Sequence, residues 1–75
     1  MTREDFKVLK KGDILQFRNW DWRKIIFLRI KKEMQDAQHL GEWSIVFSGF
    51  NLLTGKFEDN NLWIESAGDY WQKLN

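Results

Sequence analysis

From Arg23 to Lys31 the chain alternates with a period of two: Lys24, Ile26, Leu28 and Ile30 point one way, Arg23, Ile25, Phe27, Arg29 and Lys31 the other. That period belongs to a strand, although Arg, Lys, Glu and Met also favour helices, and one continuous helix from Arg23 to Gln38 is the competing arrangement. On the strand reading, Ile26, Leu28 and Ile30 form the core face and the other face is mixed. A chain of 75 residues without cysteine has no disulfide framework or thiolate metal site to hold it, so hydrophobic burial must do so. Its 43% hydrophobic content and twelve aromatic residues (6 Phe, 5 Trp, 1 Tyr) supply the material for one core. With no proline, internal repeat or low-complexity run to mark a boundary, residues 1–75 are read as a single domain.

The other segments follow the same β grammar. Thr2 and Asp5 have capping-box spacing, which predicts one or two helical turns carrying Phe6 and Leu9 before Gly12, with a short Phe6 to Leu9 strand as the alternative. From Asp13, Leu15 and Phe17 alternate with Ile14, Gln16 and Arg18, giving strand one and then a loop at Asn19-Trp20-Asp21-Trp22. After the polar stretch Gln35 to Gly41, strand three runs from Trp43 to Leu53, with Gly49 suited to a bulge or sharp bend. Thr54-Gly55 turns into Lys56 to Asp59, and Asn60-Asn61 is expected to turn again into Leu62 to Glu65. Ser66 and Asp69 repeat the capping spacing, so Tyr70, Trp71 and Leu74 are expected on a short C-terminal helix over an open barrel end. The expected core is Leu15, Phe17, Ile26, Leu28, Ile30, Ile45 and Phe47, joined by Trp43 and Trp63 from strands.

The fold class is therefore mainly all-β: five antiparallel strands in a small barrel or curled sheet, with short helical turns at the termini. The segment Lys10-Lys11-Gly12-Asp13-Ile14-Leu15-Gln16-Phe17 resembles the first strand common in SH3-like small barrels, a likeness that would extend over Lys10 to Glu65. The acidic, tyrosine-rich proline-binding surface of signalling SH3 domains has no counterpart here, so proline-peptide recognition does not follow, and a superfold would not fix function.

Catalytic chemistry is not written in the chain. The sole histidine, His39, lies in a polar loop, and Glu4-Asp5 and Glu58-Asp59 are sequence neighbours whose side chains diverge. Gly12, Gly41, Gly49, Gly55 and Gly68 are too scattered for a phosphate loop. The expectation is a non-enzyme with no cofactor and no metal. No run approaches a membrane span, and the charged start (Arg3, Glu4, Asp5) lacks a secretory core, so a cytoplasmic protein without a membrane partner is expected.

Charge and aromatic placement carry the functional reading. Net charge is +1, but residues 1–32 hold ten basic side chains against four acidic ones, while residues 33–75 hold two against seven. Arg18, Arg23, Arg29 and Lys31 could form a basic stripe beside Trp20 and Trp22, the pairing of phosphate neutraliser and stacking surface used on single-stranded nucleic acid. Neutralisation between neighbouring strands is the plainer outcome. Trp20 and Trp22 flank Asp21 and, in an extended loop, project from one side as anchors; Phe27 and Phe50 extend that surface if they face outward. The candidate binding residues are Arg18, Trp20, Trp22, Arg23 and Arg29.

In being compact, cysteine-free and poor in motifs, the chain also resembles the small accessory proteins that phages encode to modulate host machinery. That resemblance implies a binding module that docks on, and modulates or inhibits, a host protein in the host cytoplasm. The alternative is a nucleic-acid-binding small barrel, followed by a module for a nucleotide-like ligand. An uncovered edge strand leaves monomer and homodimer both open.

Overall fold

A computed structural model describes residues 1–18 and 23–75, the side chain of His39 excepted. Helix α1 spans Arg3–Lys7 and is closed by the expected capping box: the Asp5 amide donates to Thr2 Oγ1 at 3.2 Å and the Thr2 amide to Asp5 Oδ2 at 2.8 Å. Five strands follow, β1 (Ile14–Phe17), β2 (Lys24–Asp36), β3 (Glu42–Asn51), β4 (Lys56–Trp63) and β5 (Trp71–Lys73), with helix α2 (Ile64–Ala67) and a 3-10 turn (Gly68–Tyr70) before the last. All pairings are antiparallel and the order is β4-β3-β2-β1-β5, a mainly β architecture in one sheet. The sheet is open, not a closed barrel, because β4 and β5 are its two edges.

The thirteen-residue β2 is a strand throughout, which removes the helical alternative for Arg23 to Gln38. Its phase is opposite to that expected: Ile25 and Phe27 are buried, whereas Ile26 and Leu28 are half-buried on the other side. Register shifts against β3 at Leu28 and Lys31 then change the phase, so that Ile30 returns to the core margin opposite Phe47 while Arg29 stands outward opposite Ser48. Gly49, opposite Phe27 and next to the first bulge, explains the close approach of β3. A β-carbon there would lie 2.2 Å from Ile25 Cγ2 and 2.9 Å from the Ile26 carbonyl oxygen.

The core comprises Phe6, Leu15, Ile25, Phe27, Ile45, Phe47, Leu62 and Trp71, with Phe17 and Ile30 at its margin. Phe47 is central, its ring centroid 5.7 Å from Phe6, 6.0 Å from Phe27 and 5.2 Å from Trp71. Trp43 and Trp63 are half-buried instead of core residues, and the Arg3 guanidinium lies 3.6 Å above the Trp43 ring.

Two further expectations are corrected. Asn60-Asn61 is not a turn: β4 runs straight through it, paired with β3 from Asn51 opposite Lys56 to Ser44 opposite Trp63, because the ten-residue β3 templates a longer partner. The fifth strand is Trp71–Lys73, not Leu62 to Glu65, and it lies beside β1 where a C-terminal helix was expected. Ser66 forms no capping box; its amide and hydroxyl donate to Glu42 Oε1 at 2.8 and 2.7 Å from within α2. Trp71 still closes the core, but from a strand.

Candidate binding surface

The β1–β2 hairpin closes where the Phe17 amide donates to the Arg23 carbonyl at 2.7 Å, so Arg18 and Arg23 stand on either side of one loop mouth. Trp20 and Trp22 lie outside the described residues. Arg23 shares the inner phase of Phe17: its guanidinium carbon is 5.2 Å from that ring, and Nη1 donates to Asn60 Oδ1 at 3.4 Å. Arg18 is exposed, its amide donating to the Tyr70 carbonyl. Arg29 is exposed on the opposite face of the sheet, so the structure gathers Arg18 and Arg23 but not Arg29.

The proposed basic stripe is thereby divided between two faces. Lys31 is partly neutralised, its Nζ 2.9 Å from Asp59 Oδ2, and Glu33 bonds Arg3 and lies 3.7 Å from Lys7. These contacts neutralise part of the charge from α1 to β2 and from β2 across β3 to β4, not between neighbouring strands as expected. Of the two phenylalanines, Phe27 is buried and Phe50 faces outward.

Sequence reasoning missed the outer face of the sheet. Directly opposed residues share a face, and the registers place Ile14, Ile26, Phe50 and Phe57 in one row across β1, β2, β3 and β4. Phe50 and Phe57 meet edge to face with centroids 5.0 Å apart, yet Phe57 remains 74% exposed. Leu52 and Leu53 lie exposed in the adjoining turn. The Leu52 amide donates to the Lys24 carbonyl at 2.9 Å, which brings that turn to the same end of the sheet as the Arg18–Arg23 loop mouth. A shallow groove of about 320 Å³ lies beside Phe57, between Leu28, Ser48, Gly49, Glu58 and Asp59.

Lys24, Arg29 and Lys32 occupy the outward phase of β2 around this apolar row, and none has a carboxylate within 4.0 Å among the described residues. The surface therefore offers apolar area beside three β2 cations that have no fixed counter-charge among the described residues, and next to Phe57 it also carries Asp59, paired with Lys31. The signal in the sequence was that both phases of Lys24 to Ile30 carry large apolar residues, so whichever was buried, the other had to be displayed.

Asp5, far from this surface, has its carboxyl held below the usual aspartate range, first by the Thr2 amide and then by its hydroxyl. Among the described residues no three His, Cys, Asp or Glu side chains gather as metal ligands, and no helix is long and apolar enough to cross a membrane. Compared with known proteins, the chain matches no protein-family model, no curated protein and no solved structure.

Proposed function

We propose that this chain is a non-enzymatic module that binds a protein partner through the outer face of its sheet. The observation that carries the reading is Phe57, three-quarters exposed, standing against Phe50 in an apolar row on the same face as Lys24, Arg29 and Lys32. Aromatic residues, which have little rotamer entropy to lose, and arginines, which present a planar multi-donor group, dominate binding hot spots, and contiguous apolar surface rimmed by polar groups marks interaction sites. The complementary partner presents an apolar pocket with an acidic rim. Arg18, exposed at the loop mouth at the same end of the sheet, extends the contact.

The consequence of such docking is modulation or inhibition of a host protein in the manner of a phage accessory protein, in a reducing cytoplasm that suits a cysteine-free chain. An SH3-like superfold belongs to the same proposal, supported by the antiparallel meander that starts on the Lys10 to Phe17 segment.

Photo-crosslinking from position 57 in lysate of the natural host, followed by a binding titration with the captured protein, tests the reading. Phe57→Asp should abolish that binding and Arg29→Ala should weaken it with a shallower salt dependence, while both variants keep the wild-type melting temperature. Undiminished binding by Phe57→Asp overturns it. A second reading, single-stranded nucleic acid, is favoured by three cations on the same face as two aromatic rings. It requires that oligonucleotide affinity fall steeply with salt and that Lys24→Ala, Arg29→Ala and Lys32→Ala each flatten that slope.

A further inference from the structure

We propose that two copies of this chain join antiparallel along β4, with Asn60 on the two-fold axis, so that the five-stranded sheets become one continuous sheet. The inference shares Phe57 with the proposed partner surface, but growth in the plane of the sheet leaves the rest of the outer face open and doubles it, and its test uses Asn61 instead.

Three observations lead there. The first is the edge itself. β4 is eight residues long, has no proline, keeps an unbroken register with β3 and, among the described residues, has no strand on its other side. Edges of this kind are templates for a further strand unless charge or a bulge protects them. Its charges, Lys56, Glu58 and Asp59, are confined to the first half, and Asn60 to Trp63 carries none. The other edge, β5, is only three residues long.

The second observation is an amide without an acceptor. Asn60 is 5% exposed on the inner face of this edge strand; its Oδ1 accepts from Arg23 Nη1 at 3.4 Å, and its Nδ2 has no hydrogen-bond partner among the described residues. A buried donor left unmade is costly, and such groups are rare in native structures.

The third is the register. A two-fold axis normal to the sheet keeps outer face on outer face and opposes residues of like orientation. Within Lys56–Trp63, two such registers overlap by seven residues, the longest available. One sets Asp59 against Asp59 of the second copy, a like-charge contact on the axis. The other sets Asn60 against Asn60 of the second copy, Phe57 against its Trp63, Glu58 against its Leu62 and Asp59 against its Asn61. No like charges oppose one another, two aromatic pairs form on the outer face, and the two Asn60 residues face each other across the axis at a β-carbon spacing of about 4.5–5.5 Å. Both registers set an acceptor opposite Asn60, Glu58 of the second copy in the first and its Asn60 in the second, so the choice between them rests on charge.

Asn61 provides the test, because it is exposed, lies on the outer face and opposes Asp59 of the second copy twice per dimer. Sedimentation velocity of the full chain over a concentration series should show reversible exchange between 9.1 kDa and twice that mass. Asn61→Asp should raise the dimer dissociation constant by about fivefold and Asn61→Lys should lower it by about as much, both effects shrinking as salt is added. A wild-type chain that stays monomeric at every concentration overturns the proposal. So does a dimer whose dissociation constant the two variants leave unchanged or move in the same direction, since its interface would lie elsewhere. Equal circular dichroism spectra for the three proteins establish that folding is not what changed.

Discussion

Replacing Gly49 with alanine puts the β2–β3 geometry to a quantitative test. The added methyl would sit 2.2 Å from Ile25 Cγ2, against an optimum of about 3.5–4.0 Å, and 2.9 Å from the Ile26 carbonyl oxygen. Ile25 is fully buried, so its side chain cannot swing to solvent, and the carbonyl belongs to backbone that the ladder fixes. The strands must separate or Ile25 must leave its rotamer, at a cost of about 1–3 kcal/mol that outweighs the smaller entropic gain of removing a strand glycine. For a domain of this size that predicts a melting temperature lower by roughly 5–20 °C.

A double-mutant cycle with Ile25→Ala separates the two contacts. Removing Cγ2 leaves the Ile25 β-carbon at 3.7 Å, an ordinary contact, so the double variant should be more stable than the sum of the single losses by about 1 kcal/mol. Thermal unfolding followed by far-UV circular dichroism reads all four proteins. A Gly49→Ala chain melting with wild type, or a cycle that closes additively, would refute the close approach as described.

Ile25→Ala should itself cost about 2–5 kcal/mol in denaturant unfolding, whereas Leu28→Ala should cost less than about 2 kcal/mol because Leu28 is only half-buried; equal losses would contradict the observed strand phase. Asn60→Leu, which removes an Nδ2 without an acceptor among the described residues together with the long 3.4 Å bond that Oδ1 accepts from Arg23, should leave chemical stability at low protein concentration within about 1 kcal/mol of wild type. Because the Thr2 amide holds the folded Asp5 carboxyl below its usual value of 3.8, its contribution is present above that pH and disappears as pH falls through the folded value. Asp5→Ala should therefore melt below wild type at neutral pH and converge with it in acid, a trend that melting curves across a pH series would display.

What could be read from the residues was whatever depends on local chemistry. Thr2 and Asp5 announced their capping box, Gly49 announced an irregularity that lies beside a β2 bulge, and strands one and three were expected with Leu15, Phe17, Ile45 and Phe47 on the inner phase they occupy, although strand three ends at Asn51 and not Leu53. In β2 the two phases, Ile25 with Phe27 and Ile26 with Leu28, are almost equally apolar, so the pattern alone could not choose between them, and two bulges then shift the phase within one strand. Asn60-Asn61 has turn chemistry that the β3 template overrides. The loop arginines do meet at one mouth, but the apolar outer row is assembled from four strands and exists only once their registers are set.

The pairing of β5 with β1 bears on how the chain reaches this structure. Leu15 lies opposite Lys73 and Phe17 opposite Trp71, contacts that span most of the sequence, whereas β2–β3 and β3–β4 are joined by short turns. Hairpins of that kind close in microseconds, while the β1–β5 ladder must bear the entropy of a far larger loop. Since Trp71 fills the core beside Phe47, the two-hairpin intermediate would have an open apolar floor until β5 docks. During synthesis that floor stays open until residues 71–73 clear the ribosome, which makes the interval before β5 docks the period when the chain is most exposed to aggregation and proteolysis.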